Sequence, residues 1–278
     1  MDINHKDKVF SQIKADIIRC VLKPGSAVSE AKLAARYSVG KAPVRDALAR
    51  LGHEGFVISQ ARKGHLIAPI TIQDVIDLYG VRMALEPAAA RLAAGQVDAA
   101  RLKKCAKACK APVNESDPES IASFLRANTE FHRSIAVASG NRRLAKQISE
   151  LLDDTERVRH VMIGASGSRS ESIVEHDALV EALVVGDKER AESLAKAHIE
   201  RGWRMVLSSL LSQFRFMDLN IGGPLEEANT DQFLNSIAAT GTDGAKGAQI
   251  FDFVNSLGRE ELGHTTTSPT KSTKKEVE

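Results

Sequence analysis

Apolar residues recur every fourth position at Val9, Ile13, Ile17 and Val21, which predicts an amphipathic helix over 7–21 that Pro24-Gly25 stops. Ser29 is placed to cap a second, shorter helix with Leu33, Ala34 and Tyr37 on its inner side. After the turn Ser38-Val39-Gly40, Pro43 falls in the first turn of a third helix over 41–53, the place where a helix tolerates proline best. Val44, Leu48 and Leu51 face inward there, leaving Lys41, Arg45 and Ala49 outside. Gly55 ends that helix. Phe56-Val57-Ile58 and Leu66-Ile67-Ala68 then read as short strands joined by a basic turn at Arg62-Lys63-Gly64.

The pattern changes beyond Pro69. Thr71 and Asp74 have the spacing of a capping box and open a long helix carrying Ile76, Val81 and Leu85. Further amphipathic helices are predicted at 98–109, 118–138, 141–164, 168–185 and 188–213, with no strand between them. The expected fold is mainly α: an N-terminal winged helix-turn-helix with a small β-hairpin wing, followed by an antiparallel all-helical bundle. The domains are expected at 1–70, 71–213 and 214–278. The last is a C-terminal extension rich in turn-forming runs such as Gly222-Gly223-Pro224 and Thr240-Gly241-Thr242.

A length of 278 residues suits two moderate domains, and 43% hydrophobic with only 4% aromatic residues leaves aliphatic side chains to build the cores. No apolar run approaches the roughly 18 residues of a membrane span, and the N-terminus lacks the layout of a secretory leader, so a cytoplasmic protein without membrane partners is expected. Cys20, Cys105 and Cys109 have no zinc-ribbon spacing and read as small core thiols. Charge is uneven: residues 1–70 hold 12 Lys and Arg against 6 Asp and Glu, whereas residues 71–210 hold 20 of each. Only the winged segment is basic, a modest footprint that by itself suits nucleic acid and a solvated face equally.

The run from Val39 to Leu51, followed by Glu54-Gly55-Phe56-Val57 and the wing Arg62-Lys63-Gly64-His65, resembles the DNA-binding domain of the GntR family over nearly all of residues 8–70. The resemblance implies that Arg45 is a principal base or phosphate contact, with Lys41, Arg50, Arg62, Lys63, Gly64 and His65 completing the DNA-binding surface. The family's usual Ser or Thr, Arg and Thr are replaced here by Gly40, Lys41 and Ala42. Lysine is a point charge where arginine is a bidentate reader, so the operator is expected to differ from those of relatives. Arg82 with Glu86-Pro87, Phe131-His132, Ala138 to Asn141 and Glu175-His176 resemble the FCD ligand-binding domain of the FadR subfamily over about 72–208, closest to the six-helix branch named for VanR.

Asn128 and His132 lie four apart on one predicted helix and so share a face. His176 is ten residues before Gly186 and His198 eleven after Asp187, which sets both imidazoles at matching heights on an antiparallel hairpin. Three imidazoles with an oxygen donor suit a divalent ion, zinc first, with nickel, manganese and iron as alternatives. The resemblance implies the same set as metal ligands. Arg82 reads equally as a carboxylate clamp for an effector and as the partner of Glu86 one turn on, and Glu86 itself as structural. The expected function is a homodimeric repressor bound to an inverted-repeat operator on double-stranded DNA and modulated by a small carboxylate effector beside the metal. The alternative is a metal-dependent hydrolase using the three histidines, with Glu130 or Glu175 as base; a purely architectural DNA binder is the third class.

Overall fold

A computed structural model describes residues 5–61, 64–114, 116–162 and 169–216. Arg62, Lys63 and the extension beyond residue 216 lie outside the described residues. Contacts group Met1–Asp218, which includes all the described residues, into one compact unit.

The head contains α1 (His5–Ile18), β1 (Ala27–Val28), α2 (Glu30–Arg36), α3 (Lys41–His53), β2 (Val57–Gln60) and β3 (Gly64–Ile67). Val9, Ile13 and Ile17 of α1 meet Leu33, Val44, Leu48, Leu51, Phe56 and Ile67 in one core. Ser29 caps α2 as expected, its hydroxyl accepting from the Lys32 amide. The predicted first helix ran too long. Cys20 adopts φ 54°, and the Leu22 amide donates back to the Asp16 carbonyl, closing the helix before Pro24 is reached. Val21 is consequently 48% exposed and Leu22 enters the core in its place. The sheet also has a strand that the pattern did not predict: β1 pairs with β3, placing Ala27 opposite Leu66 and Val28 opposite His65, in the order β1-β3-β2. Gly64 stands at φ +88°, where an added Cβ would meet the Val28 carbonyl at 3.1 Å. A glycine is therefore required at that end of the wing.

The second part contains six helices among the described residues: α4 (Ile72–Ala93), α5 (Ala99–Ala108), α6 (Pro118–Ala138), α7 (Arg142–Met162), α8 (Arg169–Val185) and α9 (Lys188–Phe216). The Thr71–Asp74 capping box is formed at the start of α4. Ala90, Ala93, Leu102, Phe131, Leu179, Leu183 and Ala191 build the core, the alanines letting helix axes approach closely. None of the helices is long and apolar enough to cross a membrane.

Head and bundle meet where α1 packs on α7. Lys14 places its ammonium 2.7 Å from Asp153 of α7 and 2.8 Å from Glu54, the C-cap of α3. Asp153 also accepts from Arg133 of α6 at 2.9 Å. The Arg157 guanidinium donates to the Ala68 carbonyl between the two parts, and Arg19 pairs with Glu119. A line of charged contacts thus runs from α6 through α7 and α1 to the end of α3.

Candidate metal centre and DNA-reading face

Helix α6 presents Asn128 and His132, α8 presents His176 and α9 presents His198, and all four are buried. The predicted hairpin of α8 and α9 brings the His176 and His198 rings to 4.7 Å between centroids. One ligating nitrogen from each of His132, His176 and His198 lies within 4.8 Å of the others, and the His132 and His198 Nε2 atoms are 3.2 Å apart. Both nitrogens of His176 and the Asn128 Oδ1 are buried with no hydrogen-bond partner among the described residues. Each such orphan costs about 1–3 kcal/mol, and an ion bound by one His176 nitrogen and the amide oxygen would remove that cost for two of these three atoms. The donor set therefore fits a divalent metal of the borderline class.

His132 is oriented from behind. Its Nδ1 lies 2.8 Å from Glu86 Oε2, and Glu86 Oε1 accepts from Arg82 Nε at 2.5 Å. A proton on Nδ1 leaves the Nε2 lone pair facing the other histidines, the tautomer a metal needs. Burial opposes ionisation of Glu86, but Arg82 and His132 outweigh it and hold the carboxyl down at about 2. Burial pushes His132 down to about 4 against the pull of Glu86, and it drives His176 lower still, with His198 and His132 adding to the effect.

These contacts revise the reading of α4. Arg82 and Glu86 do form the pair expected of their spacing, but as a buried pair. Arg82 also lies over the Tyr79 ring, 4.9 Å from its centroid. It is absent from the wall of the adjoining cavity, which Glu86, His132, Ala89, Ile148, Leu179 and Ile199 help to form. Glu86, expected to be structural, is the group that orients a candidate ligand. Sequence spacing gave the Arg82–Glu86 pair, but nothing in it said that this face of α4 meets α6. The cavity is about 10 Å³, space for about one water molecule. Glu130, a candidate base for the hydrolase alternative, is paired with Arg101 at 2.6 Å, and the Glu175 side chain lies outside the described residues.

On the head, Lys41, Arg45 and Gly64 are exposed and His65 is half-buried, its Nδ1 3.2 Å from the Ser59 hydroxyl. Arg45 is held by Glu30, whose carboxylate accepts from Nε and Nη2 at 2.8 Å each. Arg50 turns elsewhere: it pairs with Asp7 at 2.9 Å and lies 3.8 Å from the centroid of the Phe10 ring, against α1. Five residues along a helix correspond to about 140° of rotation, so Arg50 does not share the face of Arg45. Glu30 was missed from sequence because its partner lies fifteen residues away on another helix.

The buried histidines make the metal-free protein acid-sensitive. His132 and His160 have folded-state values of about 4, below the ordinary histidine value, and His176 is lower. The unfolded chain therefore binds more protons as the pH falls below about 6.5, and stability drops with pH. Asp154, raised by burial to about 6, acts in the opposite sense, because its penalty is relieved on acidification. Three histidines against Asp154 and Glu156, the latter also raised by burial, give an expected net loss of about 3 kcal/mol between pH 7 and pH 5. Urea titrations of metal-stripped protein at the two pH values measure it, and equal stabilities would contradict this account.

Comparison with known proteins adds to the geometry. The family model described as "Bacterial regulatory proteins, gntR family" matches residues 5–67, and the "FCD domain" model matches residues 77–201. The transcriptional regulator YdhC of Bacillus subtilis is 29% identical over 194 residues, covering 68% of this chain and 85% of that protein. The transcriptional repressor GlaR of Escherichia coli is 25% identical over 198 residues, covering 68% of this chain and 90% of that protein. The solved structure of Escherichia coli McbR/YncC shares the fold with a TM-score of 0.65 at 21% identity, over 76% of this chain and 99% of that one. These likenesses are to transcriptional regulators and not to enzymes. With a winged reading head joined to an FCD domain, the chain belongs to the GntR family of DNA-binding transcriptional regulators, in its FadR-type subfamily.

Proposed function

We propose that this regulator is a homodimeric repressor that binds an inverted-repeat operator through α3 and the wing and responds to a small carboxylate at a zinc-type centre. One observation carries the metal reading: the nitrogens of His176, clustered with His132 and His198, and the Oδ1 of Asn128, one turn before His132 on α6, are buried with no hydrogen-bond partner among the described residues. Asn128, His132, His176 and His198 would hold the ion, which supplies an electrophilic point for an anionic ligand. Glu86 does not neutralise that ion, because its charge is already matched by Arg82. Three neutral imidazoles and a neutral amide leave the divalent charge in want of an anion. Arg82 serves the effector through Glu86 and His132. A single recognition helix favours pairing of two heads on a two-fold operator, and the repressor named among the relatives supports the sign of regulation.

The tight cavity couples binding to movement. An organic acid exceeds the space of about 10 Å³, so it binds only when the lining helices part, and α7 is one of them. Asp153 on α7 grips Lys14, which grips Glu54 at the end of α3. A ligand that favours the parted state thereby shifts the population of head arrangements. The test is a gel-shift titration of zinc-loaded protein against its operator, with simple carboxylates and their amides as probes. Carboxylates are expected to weaken operator binding more than their amides do. Lys14→Met is expected to keep metal and operator affinity within about threefold of the parent while losing most of the carboxylate response, a coupling of about 1–3 kcal/mol. A full response in Lys14→Met would remove this contact from the path, and equal effects of acid and amide would remove the carboxylate reading.

A further inference from the structure

An acid sits inside the cationic face of the head. Glu30 is the first residue of α2, set there by the Ser29 cap, and its carboxyl is lowered from its ordinary value by the hydrogen bonds from Arg45, with the charges of Arg45, His65 and Lys41 acting in the same sense. An exposed ion pair of this kind adds little to folding stability. It also works against binding to nucleic acid, since it cancels one of the few positive charges that could meet a phosphate. Its geometry suggests a different use. The carboxylate takes the side edge of the guanidinium, Nε and Nη2 at 2.8 Å each, and leaves the end edge of Nη1 and Nη2 without a partner among the described residues. That end edge is a two-donor fork that matches the O6 and N7 acceptors of guanine in the major groove. Arg45 is 69% exposed at its side chain whereas Glu30 is 23% exposed, so the carboxylate forms the base and the arginine the tip.

We propose that Glu30 is a positioning residue for operator specificity: its two hydrogen bonds aim the free fork of Arg45 at a guanine in each half-site, and its negative charge lowers affinity for DNA lacking that guanine. The inference rests on the reading that α3 enters the major groove. Without Glu30 the long arginine side chain samples many rotamers and finds phosphates as readily as a base edge, whereas with it the fork is ordered before contact. The acid thus trades non-specific affinity for discrimination.

The experiment begins with selection of duplexes from a random pool by the full-length parent protein, followed by the same selection with Glu30→Gln and Glu30→Asp. The parent is expected to fix one guanine per half-site. Glu30→Gln keeps the size of the side chain and loses the charge: that position should degenerate, and the ratio of selected-operator to scrambled-duplex affinity should fall about tenfold, with a salt slope steeper by about 0.9. Glu30→Asp keeps the charge but is one methylene short, so it should lose the guanine preference while the salt slope stays that of the parent. Thermal melts and metal content matching the parent establish that both variants are folded. Unchanged base preference in both variants overturns the proposal. Arg45→Ala run in parallel separates the two levels: if it binds like the parent, the assignment of α3 has failed, whereas if it loses the operator while both Glu30 variants discriminate normally, only the role of Glu30 has failed.

Discussion

Arg45→Ala is expected to weaken operator binding by about 10- to 100-fold at fixed salt, corresponding to the roughly 1–3 kcal/mol of a base-reading arginine. A surface charge acting only on phosphate would give a smaller, sequence-independent loss. The structure adds a reason for a large effect: truncation strips Glu30 of its two hydrogen bonds and leaves its carboxylate facing the DNA. Lys41→Ala should cost less, because a lysine ammonium provides charge without a planar fork. Arg50→Ala should cost least of the three for DNA, because Arg50 is turned onto Asp7 and Phe10. Gel-shift titrations against operator and scrambled duplex measure all three. Parent-like binding by Arg45→Ala would refute the assignment of α3 as the reading helix.

The second large effect is expected at the metal centre. His132→Ala, His176→Ala and His198→Ala should each remove most of the bound metal, with zinc per chain falling from about one to near zero after dialysis, because each deletes one of only four donors. Glu86→Gln should weaken metal binding by about 10- to 100-fold, the usual scale for the partner of a ligating histidine. That carboxylate fixes the His132 tautomer from 2.8 Å. Operator affinity without effector should stay near the parent's in all four variants, since the head has its own core. Elemental analysis and competition with a chelator measure the metal. Full occupancy in all three histidine variants would eliminate the site. His176→Ala is the most informative of them, because neither His176 nitrogen has a hydrogen-bond partner among the described residues.

Local pattern specifies much of this fold. Helix α6 was predicted at 118–138 and runs Pro118–Ala138; α3 was predicted at 41–53 and runs Lys41–His53. In both, amphipathic spacing coincides with a cap or a turn that names the end, so a short window of chain holds the whole signal. The four candidate ligands were legible for a related reason. A spacing of four on one helix and equal heights on a hairpin follow from helical rise, and the ring distances agree with them.

Tertiary structure decided what depends on which faces meet. The first helix ends early because Cys20 turns left-handed and Leu22 enters the core, a choice made by packing that the run of apolar residues does not encode. β1 is two residues long and exists only through its pairing with β3. Glu86 gained its role because α4 lies against α6, and Glu30 because α2 crosses α3. Arg50 meets Asp7 and Phe10 for the same kind of reason, since its side of α3 is turned to α1. By itself the sequence determined which residues share the face of one element, because that follows from the fixed geometry of a helix or strand. Which faces come together, and so which carboxylate orders a histidine or an arginine, was left to the packing of elements distant along the chain.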